Sequence, residues 1–341
     1  MAQPTSLIPF SLASRVERLD SYTYRANLVD GYCIGTVPNG GYVASCLVQA
    51  ASIHLAARGQ TDTLTAHFEF LNRTEVGPAI IVVDDVKPGR QLSTVHVTLY
   101  QHALLPQYPW ITPGTTRKEV AAYMTMTDLQ KEQGISLPTG WTLSQPSAPP
   151  PTPDFAALRG GHDAHWEPLV FLPGNVLAYT RCLQNCVYYT PRGGQPSKST
   201  IDLWVRLASG EPFTNASLAY VADCWPYVVE AYRPSKEDAA AAAAAAANSP
   251  LPFAQDSVFW YPTVVLNLDQ KKTLPAEGVD WLQLRVQTKQ IRNGRLDLEV
   301  VVMDADGELV ALSQHVALIL DSARNTGERK TKTGKASGSH M

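Results

Sequence analysis

Apolar and polar residues alternate along eight stretches of the chain, and these stretches fall into two sets of four. The first set covers 63–72 (TLTAHFEFLN), 79–90, 92–101 and 118–129; the second covers 262–271, 281–295, 296–307 and 308–320. A period of two, rich in Val, Ile, Thr and aromatic residues, predicts antiparallel strands with one buried face. In each set the second run turns at a Gly-Arg step, Gly89-Arg90 and Gly294-Arg295, and Asn293-Gly294 and the DADG of 304–307 are hairpin turns. Ahead of each set the pattern changes to a helical period. Residues 38–58 carry Val43, Leu47, Ala50, Ala51 and Leu55 along one face, and 214–232 open with a Thr/Asn/Ser cap cluster. Matching elements lie about 175–205 positions apart, so one unit, a long helix followed by four strands, is present twice.

The segments that break the alternation divide the chain. The repeats are expected at 1–137 and 161–321, joined by a proline-rich linker at 138–160, because proline cannot sit inside a sheet. The alanine run within 236–250 offers little to bury and is expected to be an exposed insertion. Residues 322–341 are polar, basic and nearly free of apolar side chains, the composition of a disordered tail.

One residue is out of place in the last strand, 308-ELVALSQHVALIL-320. Gln314 shares its parity with Val310, Leu312, Val316, Leu318 and Leu320, so the alternation predicts that it points inward. A buried amide costs a few kcal/mol, roughly, unless its donors and acceptors are paired, so a polar partner is implied.

Composition narrows the functional classes. With 341 residues, 45% hydrophobic and 17% charged, the chain can bury a full core. A net charge of −3 with no broad basic face does not imply nucleic acid. No apolar run of membrane-span length is evident, and the first residues lack a continuous apolar leader core. Five scattered cysteines, without metal-ligand spacing, are expected to be buried free thiols in a reducing, cytoplasmic compartment. The ending Ser339-His340-Met341 is loosely similar to a peroxisomal import signal, although Gly-Ser-His-Met is also a common cloning remnant.

Several segments together resemble the acyl-CoA thioesterases of the bacterial type II family and their fungal thioesterase-like relatives. They are 38-PNGGYVASCLVQAA-51, 67-HFEFL-71, 92-LSTVHVTLYQ-101, 203-LWVRL-207, 217-SLAYVADCWP-226, 262-PTVVL-266 and 310-VALSQHVAL-318. The resemblance implies an α+β tandem (double) hotdog, each repeat a long helix wrapped by a curled antiparallel sheet, with an acyl thioester bound at the seam. It carries the family's water-holding aspartate, threonine and glutamine onto Asp223, Thr263 and Gln314. It also implies that the Gly-rich helix start at Asn39, Gly40 and Gly41 lines the thioester end, where bare N–H groups suit an oxyanion. Asn39 itself reads best as a helix cap. The expected partner is an acyl-CoA or acyl-carrier thioester, with no cofactor and no metal. Double hotdogs often pair further, which leaves a homodimer open.

The chemistry suits those residue types, since thioester hydrolysis needs a water stripped of a proton and donors for the developing oxyanion. Taken singly, Asp223 also reads as an exposed helix aspartate and Thr263 as an ordinary strand threonine. Comparing the repeats sets Leu47 or Val48 against Asp223, Thr65 against Thr263 and Met124 against Gln314, so only one seam keeps the polar set. His67 and His96 read as sheet residues, His162 and His165 lack a third metal ligand, and Arg90, Arg285, Arg292, Arg295, Lys87 and Lys289 as solvated strand ends. No GxSxG elbow, phosphate-binding loop or GxGxxG is present. Two alternatives stay open: a tailoring enzyme that releases, dehydrates or cyclises a carrier-bound chain, and a non-catalytic acyl-binding protein.

Overall fold

A computed structural model describes residues 7–170, 179–233, 253 and 257–326. Its core is one antiparallel sheet of 14 strands that runs through both halves. In the first half the strand order is Val16–Arg18, Thr23–Leu28, Gly77–Lys87, Ser93–Gln101, Arg117–Thr127 and Asp62–Phe70. It continues through Thr263–Gln270, Leu309–Leu318, Arg295–Met303, Leu282–Gln287, Thr200–Leu207, Cys186–Pro191 and Trp166–Pro168, with the short Ile291–Arg292 paired on Arg295–Met303 off this path. The second list mirrors the first about the junction of Asp62–Phe70 with Thr263–Gln270. The alternation foresaw four strands per repeat; the structure adds a strand before each helix, Thr23–Leu28 and Thr200–Leu207.

The junction fixes the internal symmetry. His67 lies directly opposite Asn267, with Thr65 opposite Asp269 and Glu69 opposite Val265, so equivalent residues are 200 positions apart. Both junction strands carry a bulge at the same place, Thr63/Thr65 and Thr263/Val265. Thr63, not Thr65, is therefore the counterpart of Thr263. On the neighbouring strands Tyr123 faces His67 and Gln314 faces Asn267, which makes Tyr123 the counterpart of Gln314 and Met124 that of His315. The counts inferred from sequence were two residues out for the threonine and one residue out for the counterpart of Gln314, and a bulge is what shifts such a count.

The first-half helix, Gly40–Leu55, is apolar on nearly every side and has eleven buried residues. A helix of that kind needs cover all round. The sheet packs on one side of it and the second-half helix on the other. By length and hydropathy Gly40–Arg58 reaches membrane-span values that the sequence reading missed, but it is the wrapped core helix of the fold. The second-half helix is not long. It consists of a 3₁₀ turn (Asn215–Ser217), an α-helical segment (Leu218–Ala222) and, after a break, a second 3₁₀ turn (Tyr227–Tyr232). Pro226 accounts for the break, since it lacks an N–H and disfavours helical geometry in the residue before it.

The two helices touch at Gly41. A Cβ there would lie 2.5 Å from the Ala219 carbonyl oxygen and 2.6 Å from Asp223 Cβ, so only glycine allows this approach. The Tyr220 N–H donates to Ser45 Oγ at 3.1 Å beside it. All five cysteines are buried and unpaired, and burial pushes the Cys33 and Cys46 thiols up to about 12. The first residues of the expected tail are ordered: Ala323–Thr326 is helical, and buried Asn325 donates to the Ile34 carbonyl at 2.6 Å. Residues 236–250 and the Ser339-His340-Met341 ending lie outside the described residues.

Candidate active site

Asp223 follows the last residue of the second-half helix and is only 3% exposed. A buried carboxylate is tolerated when its lone pairs are met by donors. Here the Gly41 N–H donates to Oδ2 at 2.7 Å and Asn39 Nδ2 at 3.1 Å, while Thr263 Oγ1 donates to Oδ1 at 2.9 Å. Asn39 also caps its own helix, since its Oδ1 accepts the Tyr42 N–H at 2.9 Å. One asparagine thus fixes both the helix start and the carboxylate of the other repeat.

The structure brings together Asn39, Gly40, Gly41, Asp223 and Thr263, and corrects Gln314. Gln314 is exposed on the outer face of its strand, in a polar row with His67, Asn267 and Glu299. The inner row is Ala311, Ser313, His315 and Ala317, all buried. Parity misled because the inward positions are small or polar where the second-half helix presses on the sheet. The larger apolar residues Leu312 and Val316 lie on the outer face, with Val316 37% exposed. The side chain that meets Asp223 from this strand is His315, with Nδ1 3.5 Å from Oδ1. Sequence reasoning passed over it, although it is the immediate neighbour of the residue singled out.

Gly40 and Gly41 divide the role expected of them. The Gly41 N–H is committed to Asp223. Among the described residues the Gly40 N–H has no partner, and Gly40 borders a cavity of about 230 Å³. Asn39, Asp223 and Thr263 form the polar end of that cavity, and Ile34, Val37, Phe70, Pro226, Trp260 and Leu318 form its walls. Its rim is the 71–74 loop, where Arg73 Nη1 donates to the Arg324 carbonyl at 2.6 Å. Burial holds the nearby Cys182, Cys224 and Tyr227 well above their ordinary values, so all three stay neutral. Among the described residues no cluster of three metal-ligating side chains exists.

A sheet made of two mirrored repeats, with a buried carboxylate and a cavity where one repeat's helix start meets the other repeat, defines a double-hotdog protein of the thioester-binding kind. The acyl-CoA thioesterase N-terminal domain matches residues 28–127 and the C-terminal domain residues 146–319, so the chain belongs to the acyl-CoA thioesterase family and is a thioester hydrolase. It is 47% identical over 338 residues, 96% of each chain, to the thioesterase-like protein TwmA of Talaromyces wortmannii. Two solved structures share its fold. A hot dog protein from Alicyclobacillus acidocaldarius has a TM-score of 0.65 at 17% identity, covering 91% of this chain and 97% of its own. Acyl-CoA thioesterase II TesB2 from Mycobacterium marinum has a TM-score of 0.56 at 17% identity, covering 92% and 98%.

Proposed function

We propose that the protein hydrolyses a fatty-acyl or polyketide-type thioester, carried on coenzyme A or an acyl carrier, by water activated at Asp223. The observation that carries this reading is the Asp223 carboxylate itself, buried, aimed into the seam cavity and held by donors from both repeats. The thioester carbonyl lies against the Gly40 N–H, which takes the developing oxyanion. Asp223 accepts a proton from water as the oxygen bonds to the carbonyl carbon. Collapse of the tetrahedral intermediate breaks the C–S bond, and the proton held by Asp223 passes to the thiolate. Thr263 and Asn39 keep the carboxylate in one orientation throughout. The apolar walls suit an acyl chain, and the aromatic ring of Trp260 among them also suits an unsaturated carrier-bound chain, which keeps a chain-releasing role in secondary metabolism as the second reading.

A panel of acyl-CoA and acyl-carrier thioesters, short to long, read by free-thiol release, tests both. Turnover that disappears in Asp223→Asn supports the mechanism. Wild-type protein that binds the thioesters by calorimetry but releases no thiol from any of them removes it.

A further inference from the structure

Ser313, His315 and Asp223 form a chain of contacts whose protons can be counted. Ser313 Oγ donates to the Asn267 carbonyl at 2.5 Å, a separation at which two oxygens must share a hydrogen. Having spent its one proton there, the hydroxyl can only accept from the ring nitrogen 2.8 Å away, so His315 Nε2 carries a hydrogen. In the neutral ring that leaves Nδ1 as a bare lone pair. Nδ1 is buried with no hydrogen-bond partner and lies 3.5 Å from Asp223 Oδ1, which is itself an acceptor. Two lone pairs facing each other in a dry site repel, and one proton between them removes the conflict.

We propose that His315 is a positioning residue that holds one shared proton with Asp223 in the resting protein, and that loss of this proton produces the basic, active carboxylate. The role rests on the hydrolytic reading above and deepens it. Few other groups can take part. The strand neighbours facing His315 are Leu266 and Leu298, both apolar. Around Asp223 the helices and their flanks contribute Cys182, Cys224 and Tyr227, kept neutral by burial, and Thr263, Asn39 and Gly41 do not titrate. Met124, the counterpart of His315, shows that this strand position accepts a side chain with no proton to share.

Two measurements test the pair. The first is the pH dependence of kcat/KM for the wild type, His315→Gln and His315→Met, each checked for cooperative unfolding. The wild type is expected to gain activity along one limb as the shared proton leaves. His315→Gln, whose amide donates without titrating, should lose that limb and keep turnover. His315→Met, with no proton to share, should lose the limb as well, its kcat/KM no longer falling where the wild type binds the shared proton. A His315→Met protein with wild-type kcat and profile overturns the proposal while leaving the hydrolytic reading intact.

The second measurement needs no substrate. Nitrogen NMR of the histidine-labelled resting protein should show a doubly protonated His315 ring in the wild type at a pH where Asp223→Asn shows the neutral ring with its hydrogen on Nε2. A neutral wild-type ring with its hydrogen on Nδ1 overturns the proposal, whether or not any thioester is turned over.

Discussion

The internal symmetry gives the molecule two seams, and their polar residues differ. At the first, the Asn39–Gly41 helix start meets Asp223, Thr263 and His315. At the second, Thr214, Asn215 and Ala216 of the other helix start line a cavity with Val48 and Thr63, the counterparts of Asp223 and Thr263, and Met124 stands at the position equivalent to His315. The scaffold is retained at both, down to the bulge at Thr63/Thr65 and Thr263/Val265. The second seam does border a carboxylate, Asp62, but its oxygens accept from Asn215, Thr273 and the Leu129 N–H, so it ties loops together. Phe10 and Ser14 of the N-terminal segment also border that seam, anchored where Glu211 accepts the Phe10 N–H at 2.6 Å. The second seam repeats the bulged strand and the capped helix without a counterpart of Asp223, since Val48 stands there.

The largest effect should come from removing that difference. Asp223→Asn keeps the shape and should lower kcat/KM by about 10³-fold, the range of a lost acid–base group. Thiol release at substrate concentrations well below KM measures it. If more than about a tenth of the activity survives, the second seam also does chemistry and the contrast between them fails. The next effect is structural and confined to the first seam. Gly41→Ala puts a methyl against the Ala219 carbonyl and Asp223 Cβ, which forces the helices apart and should cost about 2–4 kcal/mol of stability with a loss of activity. Urea unfolding checks it, and a wild-type midpoint would show that the close approach is not needed.

Much of this arrangement was legible in the sequence, and the misses have physical causes. The duplication showed because alternation and hairpin turns recur at a nearly constant spacing. Asn39 reads as a cap because it stands at the start of an apolar helix, a local signal, whereas Asp223 and Thr263 came from the family resemblance alone; the structure brings the three side chains together. Gln314 was placed on the wrong face because parity assigns faces by hydrophobicity. On this strand Leu312 and Val316 cover the outer face, while Ala311, Ser313, His315 and Ala317 leave room for the helix inside. An assignment one residue off exchanges the faces entirely, which hid His315; the bulge at Thr63/Thr65 set Thr65 in place of Thr63.

A smaller effect sharpens that symmetry. Thr263→Val removes the hydroxyl that donates to Asp223 Oδ1 and should lower kcat about tenfold, the equivalent of one lost hydrogen bond to a charge. Thr63→Val removes a hydroxyl that, among the described residues, meets only the Met126 sulfur, at 3.6 Å, and should leave kcat unchanged. Equal losses in the two variants would mean that the threonines serve the bulge and not the carboxylate.

The smallest predicted effect lies at another pair of equivalent residues. The Leu71 and Asn72 N–H groups donate to the Glu119 carbonyl just as those of Lys271 and Lys272 donate to that of Val310, so Glu119 and Val310 are counterparts. Val310 is an ordinary core residue, whereas Glu119 is a buried carboxyl with Oε1 2.7 Å from Arg117 Nε and Oε2 without a hydrogen-bond partner. Burial pushes Glu119 up to about 7 from an ordinary 4.5, against the pull of Arg117. A raised carboxyl binds its proton more tightly in the folded protein than in the unfolded one. Its contribution to stability is therefore full below about 4.5 and is lost as the pH climbs through 7. Glu119→Gln, which stays neutral throughout, should be about 1 kcal/mol more stable than the wild type at pH 8, with the gap closing toward pH 5. Thermal unfolding at the two pH values measures this. A gap that widens toward low pH would mean that the Arg117 ion pair outweighs burial, and that the first repeat gains from the charge where the second has a valine.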